Sequence, residues 1–179
     1  MKPTIVCLVG DSGSGKTLAS MFLQEVLNWN AIVSYTTRKK REGETNGKEH
    51  WFVTDKDVPE KKKMCAYTVF GGYQYWTEWG QFTDEKVNVY VIDEKGLIYL
   101  QAKEQTPFSF NLVTIKINRR NKDGIDEQRT VRDKERVNIP DEMYDYVVNN
   151  DYSIEALRAT LYLIGKCIER KYSNGSTKR

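Results

Sequence analysis

The sequence predicts an α/β protein in which a parallel sheet is covered by helices on both faces. Three observations point there. Short apolar runs bounded by glycine or polar residues recur at residues 5–9, 87–92, 110–117 and 144–148, as buried strands do. Segments with a 3.6-residue apolar period lie between or after them. The two kinds of segment alternate, and strands alternating with helices imply parallel pairing.

Taken in order, residues 5–9 read as the first strand, ending at Gly10. Residues 16–29 read as a helix, with Leu18, Phe22, Val26 and Trp29 on one face. Residues 31–33 are a second short strand. The stretch 36–48, TTRKKREGETNGK, reads as loop with a turn at Asn46-Gly47. Residues 51–53, 66–70 and 73–76 are aromatic-rich and strand-like, with Gly71-Gly72 between the last two. They predict a small antiparallel insert over about 34–86. The α/β alternation resumes with the strand 87–92, a helix over about 94–103 and the strand 110–117. Residues 119–136 read as a charged helix-loop element. A last strand at 144–148 precedes a helix capped by Asp151 or Ser153. Ile154, Leu157, Leu161, Ile164 and Ile168 form its apolar face. The polar tail 173–179 is expected to fray.

The composition suits one soluble domain over 1–179. Hydrophobic residues make up 39% and charged residues 30%, and 28 basic minus 25 acidic side chains leave +3. So small a balance does not call for nucleic acid. No apolar run is long enough to span a bilayer, and the N-terminal residues lack a signal-peptide pattern. Cys7, Cys65 and Cys167 form no CxxC pair and read as reduced thiols, which points to the cytoplasm. His50 is the sole histidine. Multi-histidine zinc sites are thereby excluded, as is a catalytic triad on any other histidine.

The strongest chemical signal is Gly10-Asp11-Ser12-Gly13-Ser14-Gly15-Lys16-Thr17. It matches G-x-x-x-x-G-K-[ST] between a strand and a helix, the context of a P-loop NTPase-type sheet. Glycines let consecutive N–H groups point at phosphate oxygens, and the helix adds its positive end. Lys16 can reach the outer phosphates, and the Thr17 hydroxyl can hold Mg²⁺. The plain alternative is a glycine-rich turn with an incidental lysine. From ordinary residue frequencies the full pattern should arise in fewer than about one chain in a hundred. The motif therefore predicts a nucleoside triphosphate and Mg²⁺ as cofactors.

A second anion site is indicated by Ser34-Tyr35-Thr36-Thr37-Arg38-Lys39-Lys40-Arg41-Glu42-Gly43-Glu44. Guanidinium forks suit a phosphate dianion, whereas a basic run alone would read as a solvated surface. Beside the glycine loop, S-x-T-T-R-x-x-R-x-G-E-x-x-G resembles the guanylate kinases, which transfer the γ-phosphate of ATP to GMP or dGMP. The likeness extends to Phe52-Val53, the segment from Gly72 to Thr77, Val91-Ile92-Asp93 with Gly96, and the segment from Tyr144 to Asn149. It implies that residues 10–17 bind ATP phosphates and that Ser34 lies beside the acceptor base. Arg38 and Arg41 would clamp the acceptor phosphate. His50 takes the place of a phosphate-binding tyrosine, and Tyr75 matches a second. Thr77 matches a base-contacting hydroxyl, and Asp93 an acid near Mg²⁺ and acceptor.

The chain also departs from that family. Trp76 replaces a glycine, a D-x-D strand end is reduced to Asp93-Glu94, and Ala66 stands where a guanine-binding glutamate is usual. Phosphoryl transfer depends mainly on positioning and charge neutralisation, so His50 reads as a phosphate hydrogen-bond donor and not as a general base. Its plain alternative is a surface histidine without a role.

Residues 119–136 crowd Arg119, Arg120, Lys122, Arg129, Arg132, Lys134 and Arg136, interleaved with acids. One reading is a solvated helix with i,i+3 and i,i+4 ion pairs. The other resembles a kinase lid, with Arg129 and Arg132 over the transferring phosphoryl group and Arg136 in reserve. Insert and lid are expected to move on binding, because a kinase must exclude water. The sequence thus predicts a nucleoside monophosphate kinase for GMP or dGMP, binding neither nucleic acid nor membrane. The competing readings are a kinase of another nucleotide or phosphorylated metabolite, a non-catalytic guanylate-kinase-like module, and a nucleic-acid-dependent NTPase.

Overall fold

The first apolar run forms β1 (Thr4–Val9), buried at all six positions. In the computed structural model, which describes residues 2–102, 106–120 and 136–173, β1 is the middle strand of a five-stranded sheet. Its partners are β2 (Asn30–Ile32), β7 (Asn88–Val91), β8 (Asn111–Asn118) and β9 (Tyr146–Asn149). The order is β2-β7-β1-β8-β9 and every pairing is parallel. A parallel sheet must be covered on both faces. On one face α1 (Lys16–Leu27) and α3 (Ile154–Ser173) pack over Val6, Leu8, Val113 and Ile115. On the other, α2 (Glu94–Gln101) packs with Trp79 and Phe110 over Ile5, Cys7 and Val9.

The helix ends follow local chemistry. α1 stops at Leu27 because Asn28 turns left-handed, φ 56°, a conformation asparagine tolerates. The helix is thus two residues shorter than expected, and its buried face is Ala19, Ser20 and Leu23 while Val26 is exposed. Of the expected face, Leu18 and Phe22 pack against the core and Trp29 is buried in it from the loop after the helix; Val26 alone departs. Ser153, and not Asp151, caps α3: its Oγ accepts from Ala156 N at 3.2 Å. Leu157, Leu161 and Ile168 are buried as expected, whereas Ile154 is half exposed. Asp151 Oδ1 instead accepts from Arg120 N at 2.6 Å. The expected helix end near 103, most of the segment 119–136, and the tail beyond 173 lie outside the described residues.

Between β2 and β7 a second sheet is built from β3 (Tyr35–Thr36), β4 (Trp51–Phe52), β5 (Met64–Phe70) and β6 (Tyr73–Glu78), in the order β4-β3-β6-β5. β5 and β6 form a hairpin through Gly71 (φ 57°) and Gly72 (φ 80°), a turn that needs positive φ at both positions. The β3·β6 and β5·β6 pairs are antiparallel, but β3 and β4 run parallel. A parallel neighbour requires a crossover of about a dozen residues or more. Here the crossover is the basic stretch 37–50, so the pairing itself holds that stretch over the sheet. The far face of the sheet carries an aromatic stack. Tyr35 lies 5.5 Å from Trp76 and 6.4 Å from Trp51, ring centre to ring centre.

Leu161 is fully buried between α1 and the sheet. Leu161→Ala is expected to cost about 2–5 kcal/mol. Thermal unfolding followed by circular dichroism should show a fall of roughly 2–4 °C per kcal/mol.

Candidate functional site

The carboxyl ends of parallel strands are where open α/β sheets bind ligands. A cavity of about 630 Å³ lies there, between the five-stranded sheet and the smaller one. Ser12, Gly13, Lys16 and Thr17 form one wall, and Ser34, Arg38, Arg41, His50 and Tyr75 another, with Asp93 also lining it. The structure therefore brings together both groups of residues that the sequence singled out.

The glycine loop leaves β1 at Gly10, φ 148°. A Cβ there would strike the Ile117 carbonyl oxygen. At Gly15, φ 102°, a Cβ would come within 2.7 Å of Asn150 Nδ2. Asn150, just past β9, donates from Nδ2 to the Ser14 carbonyl at 2.9 Å and braces the loop. Lys16 Nζ folds back across the loop and donates to the Gly10 and Asp11 carbonyls, each at 2.6 Å. Ser14 Oγ is buried with no hydrogen-bond partner among the described residues. This cradle, with its orphan hydroxyl and helix N-terminus, fits an anion. Thr17 is exposed on the first turn of α1. Its hydroxyl and the Asp93 carboxylate offer hard oxygen donors on one cavity, which suits Mg²⁺. Asp93 also caps α2, accepting from Gly96 N at 2.6 Å.

Arg38 is 7% exposed. Its fork donates from Nη1 and Nη2 to the Glu44 carboxylate at 3.0 and 2.8 Å, and Nη1 also donates to the Lys39 carbonyl. The guanidinium carbon lies 5.3 Å from the Phe52 ring centre. Glu44 also accepts from Arg41 N at 2.8 Å. Burial by itself raises the Glu44 pKa, but the Arg38 hydrogen bond and the Arg41 N–H outweigh it and bring the value to about 2. His50 is held by Ser34, whose Oγ lies 2.8 Å from Nδ1. Its ring meets those of Tyr75 and Phe52 edge-on, at 5.6 and 5.9 Å. Burial first, then the Arg38 charge, lowers the His50 pKa to about 4, so the imidazole is neutral near pH 7.

Thr77 is placed differently from its neighbours. It is fully buried, and its Oγ1 donates to the Tyr90 hydroxyl at 3.0 Å. Tyr90 lines the cavity while Thr77 supports it from behind. Glu94, next to Asp93, is 6% exposed and paired with Arg136 Nη2 at 2.8 Å and Nε at 2.9 Å. Arg119 Nη1 donates to the Gly13 carbonyl at 3.2 Å. Arg129 and Arg132 lie outside the described residues. Sequence reasoning missed Tyr90, Asn150 and the Glu94–Arg136 pair. Parallel topology was the available signal for Asn150, because the residue after each strand must come to the ligand-binding edge.

His50 has a lower pKa in the folded protein than the ordinary 6.5. The unfolded chain therefore takes up a proton that the native state does not, and stability falls as pH drops from 6.5 toward 4. Glu44, depressed from 4.5 to about 2, contributes stability above pH 4.5 that is lost as pH falls from there toward 2. Urea midpoints should fall between pH 6.5 and 4.5 in the parent chain. They should stay nearly flat over that interval in His50→Gln, and both proteins should weaken further below pH 4.5.

Known proteins share these features. The guanylate kinase family model matches residues 1–162. A guanylate kinase of Protochlamydia amoebophila is 29% identical over 87% of this chain and 86% of its own length. One from Wolbachia pipientis wMel is 30% identical over 82% of each chain. The crystal structure of guanylate kinase from Anaplasma phagocytophilum superposes with a TM-score of 0.66, covering 93% of this chain and 86% of that one at 21% identity. The fold of that structure, the two anion-binding walls and the family match over nearly the whole chain agree: this protein belongs to the guanylate kinase family.

Proposed function

We propose that the protein transfers the γ-phosphoryl group of ATP to the phosphate of GMP or dGMP within this cavity. The observation that carries the reading is the facing of two anion sites across one cavity, Lys16 and Thr17 on one side and Arg38, His50 and Tyr75 on the other. A bisubstrate phosphotransfer needs that juxtaposition, because holding donor and acceptor in line removes most of the entropic barrier.

In this reading the N–H groups of residues 10–17 cradle the ATP phosphates. Lys16 exchanges the Gly10 and Asp11 carbonyls for phosphate oxygens. Arg38 and Arg41 hold the acceptor phosphate, with Glu44 and Phe52 fixing the plane of the Arg38 fork. The neutral His50, paired with the Ser34 hydroxyl at Nδ1, donates from Nε2 to the acceptor phosphate beside Tyr75 in the tautomer that carries its proton there. Ser34 and Tyr90 face the base, and Thr77 holds the Tyr90 hydroxyl from behind. An acceptor phosphate oxygen attacks the γ-phosphorus in line, and no general base is needed. Thr17, with Asp93, would hold Mg²⁺, which when bound neutralises charge on the β- and γ-phosphates. From the sequence alone, Arg129 and Arg132 are assigned to the transferring group. Closure of the segments 34–86 and 119–136 would exclude water. The protein's free cysteines support a cytoplasmic enzyme, and no helix among the described residues is long and apolar enough to cross a membrane.

ADP formation from Mg-ATP with GMP, dGMP, AMP, CMP and dTMP tests the assignment, and GMP and dGMP should be the best acceptors. Lys16→Ala should lower kcat on the order of 10²-fold or more with little change in GMP binding. Arg38→Ala should raise KM for GMP far more than KM for ATP. Folded wild-type protein that binds ATP but phosphorylates none of these acceptors would overturn the reading.

A further inference from the structure

We propose that Glu94 reads the acceptor's base, its free carboxylate oxygen accepting from the N–H groups on the edge of guanine; the inference rests on the phosphotransfer reading above. Glu94 is the first residue of α2, lines the cavity and is 6% exposed. Arg136 takes only one of its two oxygens: Nε donates to Oε2 at 2.9 Å, and Nη2 lies 2.8 Å from the same atom. Oε1 has no hydrogen-bond partner among the described residues. It is also not one of the side-chain oxygens sealed from solvent, so the little surface that Glu94 keeps includes this atom and opens on the cavity. A carboxylate nearly buried, held at one oxygen and open at the other, is set to accept a hydrogen bond from a ligand.

The two sheets fix which part of the acceptor it meets. The acceptor phosphate is held at the Tyr75 level of β6, by Arg38, Arg41 and His50. Two residues further along β6, about 7 Å, Thr77 bonds to the Tyr90 hydroxyl. β7 ends one residue after Tyr90, and Asp93 then caps α2. α2 lies along β5, where the Tyr99 ring is 6.4 Å from that of Tyr67, and Ala66 is the partner of Thr77 across the hairpin. Ala66, Tyr90 and Glu94 therefore line the end of the cavity away from the phosphate clamp. A mononucleotide held by its phosphate carries its base there, and the small Ala66 leaves space for a ring. A carboxylate repels phosphate, and Arg136 already balances the charge of Glu94, so the open oxygen suits a neutral N–H donor better than a second cation. An ionised carboxylate only accepts. Guanine turns two neighbouring N–H donors to such an oxygen, from N1 and the 2-amino group. Adenine sets a bare ring nitrogen beside its amino group, and that lone pair opposes the carboxylate.

The test compares wild type and Glu94→Gln on GMP and on xanthosine 5′-monophosphate, in which a carbonyl replaces the 2-amino group. Wild type should have a KM for GMP at least about 10-fold lower, because its carboxylate oxygen repels that carbonyl and loses a charged hydrogen bond. Glu94→Gln should raise KM for GMP about 10–100-fold, the worth of a hydrogen bond to a charged group, with kcat changed less. Its KM for the xanthine nucleotide should not rise, since the amide N–H can donate to the carbonyl, and the preference for GMP should therefore narrow about 10-fold or more. Loss of the Arg136 pair alone would weaken both nucleotides alike and keep their ratio. Wild type that uses both nucleotides equally overturns the role of Glu94 whether or not the variant folds, and so does an unchanged ratio in folded Glu94→Gln. A higher Mg²⁺ requirement in the variant, equal for both nucleotides, places Glu94 at the metal and also overturns it. In each of these cases the kinase reading stands. Wild type inactive on every nucleoside monophosphate overturns that reading and this inference with it.

Discussion

Cations gathered around one cavity repel one another, and the structure answers that constraint by holding three of them on internal oxygen partners. Lys16 is held by the Gly10 and Asp11 carbonyls, Arg38 by Glu44 and Arg136 by Glu94. Each pairing keeps a guanidinium or ammonium group oriented in the absence of an anion. Backbone carbonyls are weaker partners than carboxylates, so Lys16 is readily exchanged onto phosphate. Arg38, tied by a two-point carboxylate contact and flanked by Phe52, is a fixed template. The two walls thus differ in kind: a lysine that moves and an arginine that stays.

That division depends on topology. Parallel pairing of β1 with β7 and β8, and of β8 with β9, brings the glycine loop, Asp93 and Asn150 to one edge of the sheet. The second sheet faces this edge because its β3·β4 pair forces the chain through residues 37–50 before it can return. The connection is therefore long for a geometric reason, and its basic side chains are carried over the cavity by the strand pairing at its two ends.

The insert also shows how one face of a sheet can be specialised while the other supplies stability. Tyr35, Trp51 and Trp76 stack on the side away from the cavity, and Trp76 is 1% exposed. Trp76, which occupies a glycine position of the family, therefore leaves the pocket unobstructed. On the cavity side the lining residues of β5 and β6 include Ala66, Thr68 and Tyr75, with Thr36 and Thr77 buried behind them. The pocket floor is neutral, and its charge lies at the rim.

The strands, the glycine loop and the T-T-R-x-x-R-x-G-E stretch were legible in the chain because each is a local pattern. A buried strand shows as an apolar run, and a phosphate loop needs its glycines at set spacings. The family itself could be read from contiguous residues. What could not be read was which distant groups meet. Nothing local says that Asn150 braces Ser14, that Thr77 turns its hydroxyl to Tyr90, or that Glu94 takes Arg136 while Asp93 caps a helix. Along α1 the apolar period placed Leu18 and Phe22 against the core, but it did not show that the left-handed turn at Asn28 ends the helix or that Val26 is left exposed. Local backbone preference and apolar period act over a few residues and are written in their identity. Hydrogen-bond partners and burial depend on segments tens of residues apart, and only the packed chain brings those together.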